Sequence, residues 1–190
     1  IIYKTKPDII IETGIAHGGS IVLSASCLSI LDVMDGIDPR HSQRKVIGID
    51  IDIREHNLKA LNNHPLCFKW ELISGSSIDT KIFEEVKEKI NPKAKVLVLL
   101  DSNHSHDHVF KELNLYGNLV SVGSYCIVYD TCIEYMQKDL FINRDWDLGN
   151  NPLTALNAWL ELNNNFIIDK EIENKLLITV APSGFLKRIK

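Results

Sequence analysis

Three residues in the middle of this sequence have the types and spacing for metal-assisted acid–base chemistry: Asp101, His104 and Asp130. Asp101 follows the apolar run Lys95-Val-Leu-Val-Leu-Leu100, and Asp130 lies in Val128-Tyr-Asp-Thr131 at the end of another. An open α/β sheet binds ligands outside the carboxyl ends of its strands, so two aspartates that end such runs are expected in one crevice. Two carboxylates sharing a cleft need a cation between them or a shared proton. A hard divalent cation, Mg²⁺ first among them, takes oxygen ligands from such a pair and leaves positions open for water and substrate. His104 follows Asp101 by three residues, and the ordinary pKa of an imidazole suits a general base near neutral pH. The competing reading makes Asp101 the cap of the following helix and Asp130 a turn residue.

The neighbouring histidines could instead describe a zinc cluster. His104, His106, Asp107 and His108 approach the H-x-H-x-D-H pattern of metal-dependent hydrolases, but the spacing here is one residue short. The downstream ligands are also missing, since His17, His41, His56 and His64 all lie upstream. With a helix starting near Ser105, His104 lies at its N-terminus one turn before His108, and His106 points away. His106 and His108 are expected on a solvated helix face.

A second chemical region lies near the N-terminus, in Asp8-Ile-Ile-Ile-Glu-Thr-Gly-Ile-Ala-His-Gly-Gly-Ser20. Ile9 to Ile11 read as a strand buried on both faces. Gly14, Gly18 and Gly19 then remove the Cβ atoms that would keep a ligand from the backbone. The spacing fits neither G-x-G-x-x-G nor the phosphate loop G-x-x-x-x-G-K-S/T. What remains is a looser loop able to seat a nucleotide-like ligand. The run Lys45-Val-Ile-Gly-Ile-Asp-Ile-Asp52 supplies a second apolar strand ending in acids. Asp50 is placed to accept both hydrogens of a ribose diol, and Asp52 to do the same, to contact the loop or to cap the helix beginning near Arg54.

The elements that must hold these residues alternate along the chain: strand 9–12, helix 20–31, strand 46–50, helix 55–62, strand 67–73, helix 80–90, strand 95–100, helix 105–116, strand 124–129. That order predicts a parallel α/β sheet. After helix 152–162, the runs 166–170 and 176–180 are expected to form an antiparallel pair at one edge, with Glu171–Lys175 as their turn. At 190 residues, 45% hydrophobic and 24% charged, the chain suits one domain over 1–190 with a sizeable core. It opens on Ile1-Ile2-Tyr3 without Met, so a preceding segment is expected. A formal charge of −4 supplies no basic stripe for nucleic acid, and no apolar run nears the roughly 18 residues of a membrane span. A small polar partner and a cytoplasmic location are expected, with the four cysteines as reduced thiols; a homo-oligomer remains compatible.

With these residues in place, the chain resembles the cephalosporin hydroxylase-like family, which includes a cephem methoxylation protein and sugar O-methyltransferases. The resemblance is carried by Lys6–Ser20, Val46–Arg54, Leu100–Val109, Glu112–Tyr116, Val122–Tyr125 and Gly184–Arg188. It implies a doubly wound, Rossmann-like class I methyltransferase sheet using S-adenosylmethionine and a Mg²⁺-type site. It implies cofactor contacts from Glu12, Gly14, His17, Gly18 and Ser20 on the loop, from Asp50 and Asp52 at the ribose, and from Ser76, Ser77 or Asp79 near the adenine. It also implies Asp101 adjoining the cofactor and holding metal together with Asp130, and His104 as the base for a hydroxyl of a sugar or other small polar acceptor. One position departs: Tyr129 stands before Asp130 where relatives carry a second acid, so Thr131, a water or a substrate oxygen would have to complete the metal site. A hydrolase built on His104–His108 and a silent cofactor-binding protein are the alternative functions. Trp146 lies in the 134–151 loop, where it could stack on a sugar or only pack the loop.

Overall fold

The computed structural model describes residues 1–190, which divide into two compact units, Ile1–Leu97 and Val98–Lys190. The first unit holds α1 (Ile2–Thr5), β1 (Ile9–Thr13), α2 (Gly19–Met34), β2 (Lys45–Asp50), α3 (Glu55–Asn62), β3 (Trp70–Ser74) and α4 (Thr80–Glu88). All five residues of β1 are buried, as a strand covered on both faces requires. β1 pairs in parallel with β2, Glu12 opposite Gly48, and β2 in parallel with β3, Asp50 opposite Ser74. Gly48 is dictated by packing, because a Cβ there would lie 2.9 Å from the Ile21 side chain. Under this half lies a buried ionic cluster that periodicity does not announce: Lys69 donates to Asp32, and Arg44 bridges Asp32 and Asp35 at 2.9 and 2.6 Å. Lys69 and Asp32 are both buried, and each is tolerable there because the other neutralises it.

β4 (Val96–Leu100) straddles the division between the units and is buried along its whole length. The second unit continues with α5 (His106–Tyr116), β5 (Tyr125–Val128), α6 (Pro152–Leu162), β6 (Phe166–Ile168), α7 (Lys170–Leu176) and β7 (Phe185–Arg188). β4 and β5 are parallel, with Leu100 opposite Val128, whereas β7 runs antiparallel between β5 and β6. The strands follow the order β3-β2-β1-β4-β5-β7-β6. This is the mostly parallel sheet with antiparallel C-terminal strands that the alternation predicts, in the doubly wound form that the resemblance implies. No helix is long and apolar enough to cross a membrane.

The tail differs from expectation in one respect. The partner of β6 is Phe185–Arg188, not 176–180, and Glu171–Lys175 is helical rather than a turn. Asp169 starts that helix by accepting the backbone N–H of Glu171. Leu177 and Ile178 are left 88% and 91% exposed, so that apolar run covers no core. The strand slot goes to β7 because Gly184 can approach β5 closely: a Cβ at this position would sit 2.2 Å from the carbonyl oxygen of Val128. The Val128 N–H donates to the Gly184 carbonyl at 2.9 Å.

Candidate active site

The glycine loop after β1 is shaped by backbone that only certain residues tolerate. Gly14 and Gly18 adopt φ of 87° and 81°, and Ala16 adopts 46°. These left-handed turns bring the chain round so that α2 begins at Gly19. The space left by Gly18 is filled by Leu61, whose Cδ2 would be 2.7 Å from an added Cβ. Asp50 holds the loop: its Oδ2 accepts the N–H groups of Ile15 and Ala16 at 2.8 and 3.1 Å, and its Oδ1 accepts that of Asp52 at 3.0 Å. Asn57 donates to the Ala16 carbonyl from the other side. Asp52 is exposed and does not cap α3, whose N-cap is Arg54 without a side-chain bond.

Glu12 is the buried acid of this loop. It is 2% exposed and accepts the Ser20 hydroxyl through Oε1, while Oε2 has no partner. Burial pushes its carboxyl up to about 7, against the Ser20 hydrogen bond, which lowers it. An orphaned buried oxygen beside a loop cleared of Cβ atoms fits a polar or cationic ligand. On the far side, Asp79 caps α4 by accepting the Lys81 N–H at 2.7 Å, Ser77 is buried, and the Gly75 N–H donates to the Asp50 carbonyl. A Cβ on Gly75 would strike Ile82 at 2.5 Å. His17 is exposed.

In the second unit, Asp101, His104 and Asp130 converge, with one ligand atom from each lying within 4.8 Å of the others. β4 delivers Asp101 to an exposed position, and parallel pairing with β5 brings Asp130 to it. His104 Nε2 lies 3.1 Å from Asp130 Oδ2. Asp130 adopts φ 53° at the start of the 3-10 turn Thr131–Tyr135, a conformation Asp tolerates better than most side chains. Burial drives the His104 pKa down, the nearby charges of Asp130 and Glu112 work the other way, and Arg144 and His108 add to the lowering. Trp146 and the His104 ring meet in a T-shaped arrangement at 4.8 Å between centroids, and the Arg144 guanidinium lies 5.1 Å over the indole. Trp146 thus packs onto the histidine, an assignment its loop position did not reveal. Two carboxylates and an imidazole form a donor set that fits a divalent cation.

Several expectations are corrected here. Asp101 does not cap α5, whose N-cap is Ser105; the Ser105 N–H and hydroxyl are instead taken by Asn103 at 2.9 and 2.6 Å. Thr131 is buried and donates its hydroxyl to the Pro182 carbonyl at 2.7 Å, away from the aspartate pair; the side chain beside that pair is His104. His106 and His108 are half-buried and partnered rather than simply solvated. His106 Nδ1 lies 2.9 Å from the Thr154 hydroxyl and its ring stacks on Phe110, while His108 Nε2 lies 3.1 Å from the Ser102 hydroxyl. The three histidines go three ways, so the zinc cluster does not form. Sequence reasoning also missed Glu112, fully buried on α5, which accepts the Ser102 hydroxyl at 2.7 Å. Its one signal was an acid four residues after His108, on a helix face shared with Val109, Leu113 and Tyr116.

The family model described as Rhamnosyl O-methyltransferase/CmcI matches residues 1–189. The chain is 30% identical over 191 residues to the rhamnosyl O-methyltransferase of Mycobacterium tuberculosis (strain ATCC 25618 / H37Rv), covering 99% of this chain and 70% of the relative. It is 26% identical over 190 residues to that of Mycobacterium leprae (strain TN), covering 99% and 74%. Among solved structures it is similar to one described as cmcI-D160 Mg-SAM, with a TM-score of 0.58, 22% identity, and 100% and 68% coverage. It is also similar to the MycE methyltransferase from the mycinamycin biosynthetic pathway in complex with Mg, SAH and mycinamycin VI, with a TM-score of 0.53, 14% identity, and 87% and 42% coverage.

Proposed function

We infer that this chain, which belongs to the Rhamnosyl O-methyltransferase/CmcI family and is an O-methyltransferase, transfers a methyl group from S-adenosylmethionine to a sugar hydroxyl with the help of a divalent cation such as Mg²⁺. The observation that carries this reading is the convergence of Asp101, His104 and Asp130. A plain cofactor-binding fold has no need to gather two carboxylates and an imidazole. In this reading Asp101 and Asp130 hold the cation, and the loop of Glu12, Gly14, His17, Gly18 and Ser20 receives the donor. Asp50 and Asp52 attend the ribose, and Ser76, Ser77 and Asp79 the adenine. The names of the curated relatives, rhamnosyl O-methyltransferases, support the sugar.

The cation supplies Lewis acidity toward an acceptor oxygen, and the donor's sulfonium supplies an already activated methyl group. What remains for the side chains is proton handling and shielding. His104, whose pKa burial lowers, takes the proton of the acceptor hydroxyl, and Asp130 beside Nε2 stabilises the imidazolium that results. Trp146 covers one side of the imidazole and excludes water from it. A cytoplasmic setting belongs to the same reading, supported by four free thiols.

The test is release of S-adenosylhomocysteine in the presence of a panel of rhamnosyl and other glycosyl acceptors. Turnover is expected with Mg²⁺, loss on adding EDTA, and recovery on restoring the metal. Full turnover in metal-free buffer would remove the cation from the reading, and donor binding without turnover on any glycoside would remove the sugar.

A further inference from the structure

The buried carboxylate of Glu112 has no part in the scheme above, yet a carboxylate buried with one oxygen unpartnered is costly to keep. It is fully buried, and its Oε2 has no hydrogen-bond partner. Its Oε1 accepts the Ser102 hydroxyl at 2.7 Å and lies 3.6 Å from His108 Nε2, which itself is 3.1 Å from the same hydroxyl. This is not a Ser–His–acid nucleophile arrangement, because acid and hydroxyl approach the same ring nitrogen. Ser102 is the residue directly after Asp101, in the segment between β4 and α5 that carries both Asp101 and His104 and has no regular hydrogen-bond ladder of its own.

We propose that Glu112 is a positioning residue: through Ser102, with His108 closing the triangle, it anchors the 101–104 segment to α5 and so holds Asp101 and His104 in register with Asp130. The anchor rests on the reading that Asp101 and Asp130 hold a divalent cation with His104 beside it. Groups that orient metal ligands from behind are worth about 10- to 100-fold in metal affinity. A hydrogen-bonded acceptor buried on a rigid helix suits that task, because neither water nor rotamer freedom competes for the serine.

The experiment is Mn²⁺ calorimetry on the full chain, with thermal melting and S-adenosylmethionine affinity measured alongside. Ser102→Ala is expected to weaken Mn²⁺ binding by about tenfold or more, with the melting temperature and donor affinity nearly unchanged. Glu112→Gln keeps an oxygen acceptor for Ser102 and is expected to bind Mn²⁺ nearly as the unsubstituted protein does, whereas Glu112→Leu should match Ser102→Ala. If Glu112→Leu does not fold, Ser102→Ala decides. Unchanged Mn²⁺ affinity in Ser102→Ala would overturn the positioning role alone. Absence of Mn²⁺ binding in the unsubstituted protein would overturn the metal reading and the anchor with it.

Discussion

Both functional regions place a residue in left-handed backbone, but they fill it differently. The loop after β1 uses Gly18 at φ 81°, and the end of β5 uses Asp130 at φ 53°. At Gly18 only the path of the chain matters, and the missing side chain makes room for Leu61. At Asp130 the carboxylate lies 3.1 Å from His104 Nε2, and the left-handed backbone is kept with a side chain in place. The loop therefore turns at a residue with no side chain and is clamped from outside by Asp50, whereas the cluster keeps a side chain, that of Asp130, at its left-handed position.

The sharpest way to break this contrast is to remove the proposed base of the cluster. His104→Ala should lower turnover by roughly 10²–10⁴-fold while S-adenosylmethionine affinity, which belongs to the loop, stays near normal in calorimetry. His106→Ala, which loses only its Thr154 and Phe110 contacts, should be mild. Equal damage from both would return the histidines to a shared ligand role.

The loop should fail in the opposite way. Asp50→Ala removes the acceptor of the Ile15, Ala16 and Asp52 N–H groups, and donor binding should weaken by about 1.5–3 kcal/mol with Mn²⁺ binding intact. Unchanged donor affinity would mean the loop keeps its shape without its carboxylate clamp.

A pH series sharpens the comparison further. The folded protein holds the Glu12 proton up to about 7, above the ordinary 4.5, so this group favours folding fully below pH 4.5 and progressively less as the pH rises toward 7. A cationic donor favours the ionised form. Its affinity should therefore rise with pH until it levels off above about 7, falling by up to about tenfold per unit below that. Glu12→Gln should flatten the profile, and a profile unaffected by that change would assign the titration to another group.

The smallest expected effects come as a mirrored pair. Gly18→Ala should destabilise by about 1 kcal/mol or more, from φ and the Leu61 contact. Asp130→Gly should relieve strain and hold or raise the melting temperature by a comparable amount, at the expense of Mn²⁺ affinity. Destabilisation in both would show that Asp130 is kept for packing rather than for its ligand.

Much of the first region was legible in residues 8–52, because a strand buried on both faces, a glycine-rich turn and a strand-end acid are all local signals. β1 and α3 fall at or within a residue of their predicted bounds. Less of the second region could be read. That Asp101 and Asp130 end strands was visible, but their meeting depends on the pairing of Leu100 with Val128, 28 positions apart in register. The capture of His104 by Asp130 and that of His106 by Thr154 depend on contacts between distant segments, whereas the anchoring of Ser102 by His108 and Glu112 is close in sequence but depends on how the segment after β4 folds back onto α5. The C-terminal strand was misplaced for the same reason: 176–180 is as apolar as a strand, but which segment pairs is decided by the close approach that Gly184 permits.

The sequence by itself determined the alternation of strands and helices, the glycine loop and the acids at the strand ends, since these rest on side-chain period and on backbone freedom at single residues. Tertiary structure alone decided which acids and histidines share a site, because strand adjacency, register and burial are set by packing between segments far apart in the chain.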